Sequence, residues 1–299
     1  MERLRTVLQK NGIITKSDCP LSRHGTFHIG GNADLAVFPE TADQMIGAVR
    51  FCREFGVRAA IVGNGSNVLF ADDGFRGAVI FTVRLRGLSD EPNGFRALCG
   101  TPLAALSRAA KNRALSGAEF ACGIPASVGG AVSMNAGAHG DEMAEIVTET
   151  ECYDAEHDRR MTLRGGEHRF GYRTSIFAGC PHWILLETRI RLRAGNREEI
   201  EEKTRANIAR RRATQPLEFP SAGSAFKRPN GHFAAKLIED CGLKGYRVGG
   251  AEVSRKHAGF IVNRGGATAR DVLSVMDHVR EVVFRETGVL LEPEIRVIR

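Results

Sequence analysis

The sequence predicts a mixed α+β fold in two domains, on three observations. At 299 residues the chain is long for one compact core, because single hydrophobic cores stop growing at roughly 250–300 residues. Helical and strand periodicities alternate along it without an internal repeat. A strongly charged helical stretch, "NREEIEEKTRANIARRR" (196–212), then separates a long N-terminal part from a shorter C-terminal one. We place the division there, with residues 1–195 as the first domain and 196–299, including the linking helix, as the second.

The elements follow in order. "DQMIGAVRFCREFG" puts Met45, Val49, Cys52 and Phe55 on one helical face and ends on Gly56, a residue suited to helix termination. "VRAAIVGNGSNVLF" reads as strand, glycine turn, strand, and "GAVIFTV" as a further strand. "PLAALSRAAKNRAL" is a helix with Pro102 in its first turn. A tract poor in bulk, "GIPASVGGAVSMNAGAHG", comes next. "IVTETECYDA" and "RRMTL" form a hairpin, and "WILLETRIRL" alternates as a strand does. Beyond the charged helix lie a helix at "HFAAKLIEDCG", a strand at "AGFIVN", a long helix at "ARDVLSVMDHVREVVFRETG" and a last strand at "VLLEPEIRVI".

Composition narrows the function classes. Apolar content of 42% and charged content of 26% are those of a soluble globular protein. No apolar run approaches the ~20 residues of a membrane span, so no membrane insertion is expected. The N-terminal "MERLRTVLQKNG" lacks the apolar core of a secretory signal. The seven cysteines are odd in number and scattered, with no Cys-x-x-Cys and no Cys/His cluster. Zinc and a disulfide framework are disfavoured, no metal-ligating residue is assigned, and the expected compartment is the cytoplasm. The net charge of +7 comes mostly from Arg, which suits anionic partners because guanidinium binds phosphate and carboxylate in a bidentate fork. Nucleic acid is disfavoured: the basic residues are interleaved with acids, only "IARRRATQ" clusters, and aromatics make up just 7%. Small anionic ligands fit better.

Two glycine tracts carry the chemistry. "VGNGSNVL" (62–69) is no Walker motif, since no Gly-Lys-Ser/Thr follows, and no Rossmann fingerprint, since it leads into a strand. Its turn, Gly63, Asn64, Gly65, Ser66 and Asn67, offers either a nest of N–H groups for a phosphate or an ordinary Asn-Gly hairpin. "GIPASVGGAVSMNAGAHG" (123–140) holds five glycines and four alanines in eighteen residues. Such a segment makes sense where something approaches the backbone closely. A packed turn-helix-turn is one reading, and a flat cofactor lying on the backbone is the other, favoured one. Together the tracts suit a dinucleotide, its pyrophosphate in one and its ring system over the other.

At this point the chain resembles the UDP-N-acetylenolpyruvoylglucosamine reductase family, in its type II form. "VGNGSNVL", "GIPASVGGAVSMNAGA", "FGYRTS", "PSAGSAFKRP" and "LEPEIR" occur in the family's order, from about Thr26 to the C-terminus. The resemblance implies a FAD-binding domain of the vanillyl-alcohol-oxidase (PCMH) type followed by a smaller α/β substrate-binding domain. It implies non-covalent FAD, NADPH as reductant, UDP-N-acetylglucosamine enolpyruvate as substrate, and a monomer. By the same resemblance, cofactor contacts fall on Gly63, Asn64, Gly65, Ser66, Asn67, Gly123, Ile124, Pro125, Ser127, Gly130, Asn135 and Gly137.

The implied reaction transfers hydride to an alkene carbon, builds enolate charge on the adjoining carboxylate, and then requires a proton. Arg173 in "FGYRTS" and Glu294 in "LEPEIR" match the family positions that stabilise the enolate, the Glu as a hydrogen-bond donor if burial raises its pKa. Glu292, two residues away, competes on a regular strand, and the motif selects Glu294. Ser224 matches the proton donor, because the pattern Gly-Ser-x-Phe fits Gly223–Ser224 and not Ser221. Lys227 is a candidate for easing its transient alkoxide. Arg212, Lys227, Arg228 and His257 stand in sequence where they can meet the substrate's diphosphate or carboxylate. Two positions depart from the family: Ala126 replaces a usual Gly, and His139 a usual Tyr. The span between Arg173 and Ser224 is too short for the tyrosine-bearing loop of longer members. The rival readings are another FAD-dependent oxidoreductase of this fold and a catalytically silent UDP-sugar-binding protein.

Overall fold

The computed structural model describes residues 1–299. Eight helices run in chain order: α1 Glu2–Lys10, α2 Ala42–Glu54, α3 Leu103–Asn112, α4 Val128–Ser133, α5 Ile176–Gly179, α6 Arg197–Thr214, α7 Ala234–Asp240 and α8 Ala269–Thr287. The strands are β1 Ile14–Pro20, β2 Asn32–Phe38, β3 Ala59–Val62, β4 Val68–Phe70, β5 Phe75–Phe81, β6 Leu88–Glu91, β7 Gly94–Leu98, β8 Leu115–Ser116, β9 Gly137–Ala138 and β10 Asp141–Glu142. They continue with β11 Val147–Asp154, β12 Arg159–Arg164, β13 Trp183–Arg191, β14 Arg193–Ala194, β15 Arg247–Val248, β16 Ala251–Val253, β17 Ile261–Asn263 and β18 Arg296–Ile298.

The chain forms two compact units, and both are discontinuous in sequence. Unit 1 takes residues 1–17, 35–64 and 77–210, and unit 2 takes 18–34, 65–76 and 211–299. These units differ from the linear division at 195/196. Two N-terminal segments join the C-terminal part, and most of α6 belongs with the first unit.

Unit 1 owes its shape to amphipathic helices and a curved antiparallel sheet. α2 begins at Thr41, whose hydroxyl accepts from the Gln44 N–H at 3.1 Å. It buries Met45, Ile46, Ala48, Val49 and Cys52, as the 3.6-residue period predicts. The larger sheet has the order β12-β11-β13-β7-β6. The expected hairpin is there, β11 on β12 with Glu149 opposite Arg164 through to Asp154 opposite Arg159. β13 continues the sheet from the other side of β11, interrupted by bulges near Val147 and Glu151. Phe95, Phe120, Cys152, Leu186 and Ile190 are among the residues that close its core.

β3 and β4 do not pair with each other. β3 lies parallel to β5, and β4 lies parallel to β18. The "GNGSN" segment is therefore no hairpin turn, and that half of the sequence reading is corrected.

Unit 2 is organised by α8. Thr268 caps it by accepting from the Asp271 N–H at 3.1 Å, while the Asp271 carboxylate accepts from the Thr268 N–H at 2.9 Å. Val272, Val275, Met276, Val279, Val282 and Val283 form its buried stripe, and Gly288 ends it at φ +72°. α8 packs on the β15-β16-β17 sheet. The last strand is shorter than its sequence pattern: only residues 296–298 are regular. Pro293 cannot donate to a ladder, and residues 292–294 instead meet the segment following Gly223.

Candidate active site

Within unit 1 the two glycine tracts touch. Asn64 Nδ2 donates to the Pro125 carbonyl at 2.6 Å. A Cβ on Gly63 would run into the Ser127 hydroxyl. That hydroxyl is buried and caps α4 by accepting from the Gly130 N–H at 3.3 Å. Gly129 donates to the Cys99 carbonyl at 2.8 Å, and its Cβ would stand 2.7 Å from Cys99 Cβ. Several glycines thus serve close backbone packing within the protein. The N–H groups of Asn64, Gly65 and Ser66 donate to no carbonyl of the chain. Three consecutive unpaired donors in a tight turn are what an anion nest needs, and their chemistry fits a pyrophosphate.

The departures from the family pattern have local reasons. Ala126 sends its methyl toward the apolar core, while its carbonyl accepts from the Leu103 N–H at 2.9 Å. His139 and Gly140 are the two turn residues joining β9 to β10, at φ +61° and +102°. A two-residue hairpin turn with both φ positive suits glycine, and histidine tolerates that region better than most residues. His139 is exposed at the tip.

Arg173 sits in a tight reversal where Gly171 and Thr174 exchange backbone hydrogen bonds of 3.1 and 3.2 Å. Its own φ is +55°, a conformation that a bulky residue adopts only under constraint. Both terminal nitrogens donate to the Gly137 carbonyl at 3.3 Å, and the guanidinium carbon lies 5.4 Å from the centre of the Tyr172 ring. Asn135 makes this possible. It is fully buried, its Nδ2 donates to Gly171 O at 3.0 Å, and its Oδ1 accepts from the Ala144 N–H at 2.9 Å. Its side chain ties the small-residue tract to the arginine turn. Ser175, not flagged by sequence, adds a second tie by donating to Ser133 O at 2.8 Å.

Unit 2 brings Ser224 and Glu294 together. Ser224 bridges to Phe260, and Ala225 donates to Gly259 O at 2.8 Å. From the other side the Glu294 N–H donates to Ala225 O at 2.9 Å. Asn67 completes the ladder: its Nδ2 donates to Glu294 O at 3.1 Å, and its own carbonyl accepts from Arg296 at 3.0 Å. Gly65 precedes it at φ +64°, pressed so closely on Gly25 that a Cβ would stand 2.9 Å from its Cα. Ser221 is tethered elsewhere, its N–H to Thr26 O and its carbonyl to the Thr26 hydroxyl at 2.6 Å.

The basic residues near Ser224 separate by partner. Lys227 Nζ lies 2.5 Å from the Glu292 carboxylate, so the charge expected to assist Ser224 is paired with the neighbour of Glu294. The Arg212 carbonyl accepts from Lys256 Nζ at 2.7 Å. Arg228 lies over the Phe233 ring. His257 accepts the Gly259 N–H on Nδ1 at 3.2 Å, and burial pushes its pKa below the usual value. With Nδ1 accepting, Nε2 is the ring's remaining donor.

Unit 1 also holds a cavity of about 440 Å³ lined by Cys52, Ala59, Ile61, Ala155, His182 and Ile184, among others. Its residues come from α2, β3, β13 and three connecting segments, so no contiguous motif announces it. No helix is long and apolar enough to cross a membrane.

Comparison with known proteins adds the following. A model of the FAD binding domain matches residues 33–158. A model of the UDP-N-acetylenolpyruvoylglucosamine reductase C-terminal domain matches 215–298. The UDP-N-acetylenolpyruvoylglucosamine reductase of Heliobacterium modesticaldum is 48% identical over 283 residues, covering 93% of this chain and 89% of its own. That of Clostridium perfringens (strain SM101) is 45% identical over 281 residues, covering 94% and 92%. The crystal structure of the Thermus caldophilus reductase aligns with a TM-score of 0.81 at 34% identity, covering 96% of this chain and 99% of that one. A glucose dehydrogenase, Phl p 4.0202, aligns at TM-score 0.50 and 14% identity over 65% of this chain and 44% of its own, a likeness of fold alone.

Proposed function

The chain belongs to the UDP-N-acetylenolpyruvoylglucosamine reductase family, and from that membership we propose that it reduces UDP-N-acetylglucosamine enolpyruvate to UDP-N-acetylmuramate with NADPH, a step of peptidoglycan precursor synthesis. Its fold is the FAD-binding fold of the vanillyl-alcohol-oxidase type with a smaller C-terminal domain. The protein works as a cytoplasmic monomer in this reading.

The residues present suit FAD. The unpaired amides of Asn64, Gly65 and Ser66 would take the pyrophosphate, and the backbone from Gly123 through Ile124, Pro125, Ser127 and Gly130 to Gly137 would face the ring system. When bound, FAD supplies hydride transfer from NADPH to the terminal alkene carbon of the enolpyruvyl group.

The chain's own residues then manage charge and proton. Arg173, preset at φ +55°, holds the substrate carboxylate as enolate charge grows on it. The family motif gives Glu294, in its protonated form, the role of hydrogen-bond donor to developing enolate charge. Ser224 Oγ delivers the proton to the carbon beside the carboxylate. Arg212, Arg228 and His257 bind the anionic end, and Lys227, whose ammonium also reaches Glu292, lies beside them in the sequence. The observation that carries the reading is the ladder Gly259–Ala225–Glu294, which fixes the Ser224 backbone and the Glu294 backbone against one peptide.

The test is anaerobic. The flavin-loaded protein is bleached with NADPH, and UDP-N-acetylglucosamine enolpyruvate is then added. Return of the oxidised flavin absorbance with formation of UDP-N-acetylmuramate is expected, and a flavin that stays reduced sinks the assignment.

A further inference from the structure

Phe233 is 60% exposed, and the Arg228 guanidinium carbon rests 3.9 Å from its ring centre. Single exposed apolar residues are ordinary; a ring held under a guanidinium and still open to solvent is a built feature. The two residues flank a turn over 229–232, closed by the His232 N–H donating to Pro229 O at 3.1 Å, with Gly231 at φ +74° in the third position. That geometry brings positions 228 and 233 together, and it lies on the chain just after Ser224. An aromatic face stacks on a nucleobase, and a guanidinium fork takes phosphate oxygens. Side by side, they match a base carrying a phosphate.

We propose that Arg228 and Phe233 form the platform for the uridine diphosphate half of the substrate, with Phe233 under the uracil ring and Arg228 at the diphosphate. The inference rests on the reductase reading above. It names a specificity residue, Phe233, which no sequence motif singled out. The same chemistry suits the adenosine phosphate end of NADPH, so the experiment separates the two.

The flavin-loaded protein is titrated calorimetrically with UDP and, separately, with 2′,5′-ADP, in the wild type and in F233A, F233L and F233W. UDP affinity is expected to fall on the order of tenfold in F233A and F233L and to stay within about threefold in F233W. Affinity for 2′,5′-ADP stays unchanged, and KM for the enolpyruvyl nucleotide rises while kcat holds. Unchanged UDP binding in F233A and F233L overturns the proposal. Loss of 2′,5′-ADP binding with UDP retained also overturns it, and assigns the platform to the reductant. Should F233A melt abnormally, F233L decides. A wild type that binds UDP yet fails to reoxidise with the enolpyruvyl substrate removes the reductase reading instead, and the UDP titrations alone then judge the platform.

Discussion

Ser224 and Ser221 are three residues apart, and their surroundings differ. Both sides of Ser221 are tied by backbone to Thr26, whereas Ser224 lies in the ladder with Phe260 and beside the Ala225–Glu294 contact. Ser224→Ala is expected to leave flavin reduction by NADPH within about twofold and to slow reoxidation by substrate about 100-fold or more. Anaerobic stopped-flow measures both, and equal slowing of the two steps removes Ser224 from the donor role. A second residue reports on pH. Glu91 accepts from Arg189 at 2.6 Å and from Arg96 at 2.8 Å, and these bonds pull its pKa from 4.5 down to about 2. A carboxylate whose folded pKa is depressed stabilises the fold above its unfolded value and loses that contribution as pH falls toward the folded one. Thermal melts from pH 6 to pH 2 should show wild type more stable than Glu91→Gln above about 4.5, with the gap closing below it. A gap that widens toward acid contradicts this account.

At the scale of elements, caps and close approaches decide. α4 starts against the β7–α3 connection, where Gly129 meets Cys99. Gly129→Ala places a methyl 2.7 Å from Cys99 Cβ and 3.1 Å from its carbonyl oxygen, so the helix must shift. A loss of about 1–3 kcal/mol is expected, together with weaker FAD retention, read by urea unfolding and by flavin released on gel filtration. In unit 2, Thr268→Ala removes half of the reciprocal cap of α8 and is expected to cost about 1 kcal/mol. Unfolding midpoints within a tenth of a molar of wild type would refute the cap's role.

For the whole molecule, two units each have their own buried core, and each is assembled from separated segments. A ligand that binds only the folded chain stabilises it by mass action: about 2.7 kcal/mol at a hundred times its Kd. Titrating FAD into the cofactor-stripped protein should raise the melting temperature progressively, and a flat response speaks against a flavin site. The linear reading could not find these units, because segments 18–34 and 65–76 carry no boundary signal of their own. They join the C-terminal segment through pairings such as β4 with β18 and Asn263 with Phe27.

Local periodicity by itself determined the helices α2, α3 and α8, the β11–β12 hairpin and β13, because each is set by side-chain spacing within a few turns or one strand pair. Motif order pointed to the family, and the same motifs are the ground for proposing Ser224 over Ser221. Only the tertiary structure decided the rest. β3 and β4 found partners far along the chain, so a turn that looks like a hairpin is none. Pro293 ended the ladder that the last strand's alternation promised. Glu292 and Glu294, equivalent on an ideal strand, have different surroundings: Lys227 reaches the first, and the second donates its N–H to Ala225 O. Asn135, proposed as a cofactor contact, is also a buried joint behind Arg173. Pairing partners, burial and close approach depend on residues distant in sequence, and no local pattern records them.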